Sequence, residues 1–133
     1  MGRRSREKGA ELEREFCSVL LKRLGLSFER NLDQYQKSDG RDLKPKEGKV
    51  PLCIQVKGGK SPPLFRAAEE AAMSALPGEI PFAAVRKDRG EWHVILKWKD
   101  FARVLSTWLW CKCSEKEASE EAEESRQRTD TPG

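Results

Sequence analysis

The chain has 133 residues, 36% charged and 37% hydrophobic, enough for one domain of about 100–150 residues with its own core and too short for two. Residues 114–133 carry 7 acids and 3 bases, leaving 23 bases against 15 acids in residues 1–113; a basic domain with an acidic tail points to a polyanionic partner, nucleic acid first. No apolar run approaches the ~18 residues of a membrane span and no hydrophobic stretch follows the basic first residues, so a soluble, cytoplasmic protein without a secretory signal is expected.

Residues Glu7 to Leu24 read as a helix, with Leu12, Phe16, Cys17, Val19, Leu20, Leu21 and Leu24 at helical spacing and Gly25 as the stop. Phe28 to Gly40 is turn-rich and predicts a short strand followed by a loop. Val50 to Lys57 alternates, Leu52, Ile54 and Val56 on one face and Cys53, Gln55 and Lys57 on the other, which is strand period. Gly58-Gly59 and Pro62-Pro63 end it. Leu64 to Leu76 is alanine-rich and helical, closed by Pro77-Gly78. Two further strands, Pro81 to Arg86 and Glu91 to Trp98, flank the turn Lys87-Asp88-Arg89-Gly90. Asp100 to Trp110 makes a last helix. From Ser114 on no side chain is large and apolar, so a disordered acidic tail over 114–133 is expected after a domain over 1–113. The fold class is α/β, in the order helix, two or three strands, helix, two strands, helix, around a mixed central sheet.

Cysteine usage is uninformative. Cys17 and Cys53 lie in apolar runs and Cys111 and Cys113 form half of a zinc pattern, but there is no second pair and His93 is the only histidine. Trp92, Trp98, Trp108 and Trp110 are assigned to packing or to an interface rather than to base stacking.

Three features carry chemistry. At about 100° per residue, Phe16, Cys17, Leu20 and Leu24 all fall within about 60° of Glu13, whereas Glu11 and Glu15 fall opposite. Glu13 therefore points into the core, where a carboxylate needs either a basic partner or a metal ion. Asp42 follows a glycine turn, in Ser38-Asp39-Gly40-Arg41-Asp42-Leu43. Gln55 and Lys57 share one face of the third element, 13 and 15 residues after Asp42.

In order and spacing, these features resemble the PD-(D/E)XK phosphodiesterase superfamily, and within it archaeal-type and phage-encoded Holliday junction resolvases. Lys8-Gly9-Ala10-Glu11-Leu12-Glu13 is similar to their first helix, Gly40-Arg41-Asp42-Leu43 to the "PD" strand, and Ile54-Gln55-Val56-Lys57 to the (D/E)XK strand. The resemblance covers roughly Ser5 to Leu105. It implies a restriction-endonuclease-like core with the site at one sheet edge, and a Mg²⁺-dependent DNA endonuclease (Mn²⁺ as substitute) in a bacterial or phage-infected cell. Asp42 would ligate the metal, with Gln55 and the backbone carbonyl of Val56 beside it. Glu13 would hold one of the metal's waters or a second ion, and Lys57 would orient the attacking water or balance charge on the phosphate.

The sequence departs from that pattern at Gln55, where the family's usual residue is an acid. Glutamine also occurs there in Mrr-type restriction endonucleases. Arg3, Arg4, Arg6, Lys8, Arg30, Lys37, Arg41 and Lys60 are the candidates for DNA phosphate contact. Branched DNA of the Holliday-junction type is the expected substrate, and symmetric cutting implies a homodimer. The alternatives are an Mrr-like or nicking nuclease on duplex, a DNA-binding module that keeps the fold without catalysis, and an interaction factor anchored by Trp108 and Trp110.

Overall fold

The computed structural model describes residues 2–32 and 40–129, with side chains for 7–32, 40–117 and 119–123. The chain divides into two compact units, Met1–Lys97 and Trp98–Gly133. The division falls 16 residues earlier than the boundary expected after residue 113, because the last helix belongs entirely to the second unit.

In the first unit, helix α1 (Gly2–Leu24) starts five residues before the predicted Glu7. It buries Ala10, Glu13, Phe16 and Leu20, one per turn, on a single face. Gly25 ends it at φ 69°, a left-handed conformation that a Cβ would strain, and its N–H bonds back to the Leu21 carbonyl at 3.0 Å. Strands β1 (Phe28–Arg30) and β2 (Leu43–Pro45) then pair antiparallel, Phe28 opposite Pro45 and Arg30 opposite Leu43.

Strand β3 (Leu52–Gly59), helix α2 (Leu64–Ser74) and strand β4 (Ile80–Lys87) form a β-α-β unit. β3 and β4 run parallel, in register from Leu52 opposite Ile80 to Gly59 opposite Lys87. Strand β5 (Trp92–Ile95) returns antiparallel to β4, which makes a mixed three-stranded sheet in the order β3-β4-β5. The turn between β4 and β5 is the predicted one, with the Gly90 N–H on the Lys87 carbonyl at 2.8 Å and Arg89 at φ 61°.

Helices cover both faces of the sheet. On the α1 side Phe16, Leu20, Phe28, Leu43, Ile54, Val56 and Ala84 form the main core, and the Trp92 ring packs against Phe16 at 5.0 Å between centroids, tilted by 50°. On the other side the small residues Ala67 and Ala71 bring α2 close enough for the Cys53 thiol to reach the Ala71 carbonyl at 3.5 Å. That closeness is why Cys53 and Gln55 are buried as deeply as Ile54 and Val56 on the opposite face.

The second unit is helix α3 (Trp98–Thr129), 32 residues long. Trp98 opens this helix instead of ending β5, and the helix continues well beyond the predicted end at Trp110. The stretch expected as a disordered tail is helical as far as Thr129. Glutamate, lysine and alanine are strong intrinsic helix formers and need no core, and Lys112 pairs with Glu115 one turn on at 3.5 Å. Trp98, Phe101, Trp108 and Trp110 are exposed on it. Among the described residues, no helix is long and apolar enough to cross a membrane.

Candidate active site

The loop that delivers Asp42 is held from three directions. Asn31, 2% exposed just after β1, donates its backbone N–H to the Asp42 carbonyl (2.8 Å) and its side-chain amide to the Arg41 carbonyl (3.0 Å). Arg41 itself is buried in a two-pronged ion pair with Glu79, at 2.9 and 3.0 Å. Gln55 donates its side-chain N–H to the Gly40 carbonyl. A carboxylate at position 55 could not make that bond, so the glutamine has a positive structural reason here.

Asp42 then docks on the free edge of β3. Its N–H bonds the Ile54 carbonyl at 3.1 Å, and its Oδ2 accepts the Val56 N–H at 2.8 Å. In an extended strand the N–H and C=O of one residue project to the same side, so the Val56 carbonyl shares this edge with the Asp42 carboxylate. Burial lifts the Asp42 carboxyl to about 6. The Val56 N–H pulls against that rise and the charge of Glu13 adds to it; Lys57 lowers the value and Glu70 raises it.

Glu13 reaches the site from α1. It is 7% exposed, as its helical position predicts, and it is paired with Arg30 at 2.6 Å. Of the two partners expected for a core-facing acid, the basic one is present. Lys57, the next inward position on β3 after Gln55, pairs with Glu70 of α2 at 3.1 Å. Sequence reading did not single out Asn31, Glu70 or Glu79. Glu70 carried one signal, as an acid in an alanine-rich helix immediately after the strand that bears Lys57.

The candidate phosphate contacts separate into groups. Arg30 and Arg41 are engaged in the internal ion pairs just described. Lys8 is exposed and bonded to Asp88 at 2.8 Å, which holds the Asp88 carboxyl below its ordinary range. Lys60 is exposed. The side chains of Arg3, Arg4, Arg6 and Lys37 lie outside the described residues. Lys8 also lines a surface cavity of about 340 Å³ with Glu11, Glu15, Arg86, Lys87, Asp88 and Arg89, four bases against three acids; Arg86 there pairs with Glu15 and lies 5.8 Å over the Trp92 ring.

Among the described residues no three His, Cys, Asp or Glu side chains are gathered into a ready-made metal cluster. The donors do fit a hard divalent cation in kind: a buried carboxylate with raised proton affinity, a carboxamide and a strand-edge carbonyl, all oxygen donors of the sort Mg²⁺ takes while keeping several waters. Asp42, the Gln55 side-chain oxygen and the Val56 carbonyl are the groups that would hold it. In comparisons with protein-family models, curated proteins and solved structures, no match to this chain was found.

Proposed function

We propose that this protein is a metal-dependent DNA endonuclease with a restriction-endonuclease-like core, hydrolysing phosphodiester bonds in branched DNA. The observation that carries the reading is Asp42 lodged on the β3 edge through the Val56 N–H, with Lys57 one residue further along that strand and Glu13 within electrostatic reach. A buried carboxylate on a strand edge, with a lysine near enough to lower its proton affinity, suits an attack on an anionic phosphate, which repels its nucleophile until charge is neutralised. Mg²⁺ supplies that neutralisation and acidifies water when bound.

The protein's own groups do the rest. Asp42, the Gln55 side-chain oxygen and the Val56 carbonyl would hold the cation, while the Gln55 side-chain N–H keeps the Asp42 loop in place through the Gly40 carbonyl. Lys57 would orient the attacking water or meet charge developing on the phosphate. Glu13, held by Arg30, is a second carboxylate near Asp42 whose charge is balanced by that pair. Lys8, Lys60 and Arg86 are the described cations that would grip the DNA backbone, giving affinity that falls as salt rises. Cutting both strands of a symmetric junction requires two such sites and hence a homodimer.

A second reading is favoured by the neutral Gln55 and by the Arg30–Glu13 pair: a DNA-binding module that keeps the fold without catalysis. Cleavage of a four-way junction and of a sequence-matched linear duplex, in Mg²⁺ or in EDTA, separates the two. Metal-dependent cutting confined to the junction is the expected result. Cutting of both DNAs would move the substrate to ordinary duplex, and salt-sensitive binding without cutting in Mg²⁺ or Mn²⁺ would establish the binding module.

A further inference from the structure

The charges around Asp42 do not add up to a cation site without a residue from α2. Asp42 and Glu13 contribute two negative charges, and Arg30 and Lys57 cancel both. Gln55, where an acid is expected from the family pattern, is neutral, and its amide is committed to the Gly40 carbonyl. A net neutral, partly buried pocket has little to offer a divalent ion, whose binding depends on uncompensated oxygen charge.

Glu70 supplies the missing charge. It lies on α2, the helix covering the β3 face that carries Gln55 and Lys57, with one carboxylate oxygen 3.1 Å from the Lys57 ammonium. Its neighbour Glu69 is turned away and pairs with Lys97 at 3.1 Å. Of the two adjacent acids, only Glu70 is directed to the site. Arg66, one turn earlier, stands 3.8 Å from the other oxygen of Glu70, but its side chain is 76% exposed and water screens that contact.

We propose that Glu70 is the second acid of the site, supplied from α2 in place of the neutral Gln55 on β3. This inference rests on the metal-dependent reading above. It assigns the Lys57–Glu70 pair a double role, in which Lys57 holds the carboxylate ready and the carboxylate makes the site electronegative enough to retain a divalent ion. Because Glu70 is half-exposed, neutralising it leaves the fold intact.

The test is Mn²⁺ affinity of the full chain by titration calorimetry near pH 7.5, for wild type, Asp42→Asn, Glu70→Gln, Glu70→Asp, Lys57→Met and the double variant Lys57→Met/Glu70→Gln. Wild type should bind Mn²⁺ and Asp42→Asn should not. Glu70→Gln should weaken binding by about tenfold or more, the scale of losing an acid that supports a metal site, and Glu70→Asp should restore most of it. The same loss should persist on the Lys57→Met background. The inference is overturned if Glu70→Gln binds Mn²⁺ like wild type while Asp42→Asn does not, or if its effect disappears once Lys57 is gone. Wild type without an Asp42-dependent Mn²⁺ site would overturn the metal-dependent reading itself.

Discussion

The edge of β3 and the surface of α3 handle side chains in opposite ways. Around β3 the buried residues include charged and polar ones: Glu13, Asn31, Arg41, Asp42 and Gln55 are all less than a tenth exposed, and each has a named partner. Along α3 large apolar residues meet water beside the charged ones, with Trp98 and Trp110 about 70% exposed. A fold selected for stability alone would do the reverse, since buried ion pairs are often no better than apolar packing and exposed tryptophans gain nothing from burial. The contrast supports the proposed site at β3, where charged side chains are buried with their partners, whereas α3 carries Trp98, Trp108 and Trp110 exposed.

That contrast can be broken first at Arg30. Arg30→Ala strands the Glu13 carboxylate in the core, and losing one partner of a buried pair costs about 3–5 kcal/mol. Urea denaturation should show a loss of that size, largely recovered when Glu13→Gln is added. A loss under 1 kcal/mol would mean that Glu13 is solvated.

Asp42 sharpens the comparison through pH. Its folded-state value is raised from 3.8 to about 6, so the native state binds this proton more tightly than the unfolded chain. The stability it contributes is complete below about pH 4 and is lost as pH rises through about 6, a swing of roughly 2–3 kcal/mol at 1.36 kcal/mol per unit. Asp42→Asn should therefore be more stable than wild type at pH 8 in EDTA and no more stable at pH 4, as read by denaturant melts. Equal stability at both would contradict the raised value. The smallest effect is expected on α3, where Trp108→Ala should shift stability by no more than about 0.5 kcal/mol.

What could be read from the sequence followed from local periodicity. The inward face of α1, and Glu13 on it, came from helical spacing, and the core of β3 and the turn at Lys87–Gly90 from alternation and turn residues. The partners were not legible, because pairing across the fold leaves no local trace. Arg30 reaches Glu13 from a strand 17 positions later, Glu79 reaches Arg41 from 38 positions later, and Gln55 spans back to Gly40. Glu70 was missed because glutamates in an amphipathic helix ordinarily face water, and only the packing of α2 on β3 turns one toward Lys57. The length of α3 escaped a reading that looked for apolar periodicity, since its second half is helical through intrinsic propensity.

The central claim is that the buried Asp42 carboxylate is the group around which a phosphodiesterase works. It is tested most directly by comparing wild type and Asp42→Asn on one labelled four-way junction, with binding measured in EDTA and cleavage in Mg²⁺. Similar binding by both proteins, with cleavage by wild type alone, is the predicted result. Cleavage by Asp42→Asn at the wild-type rate would contradict it.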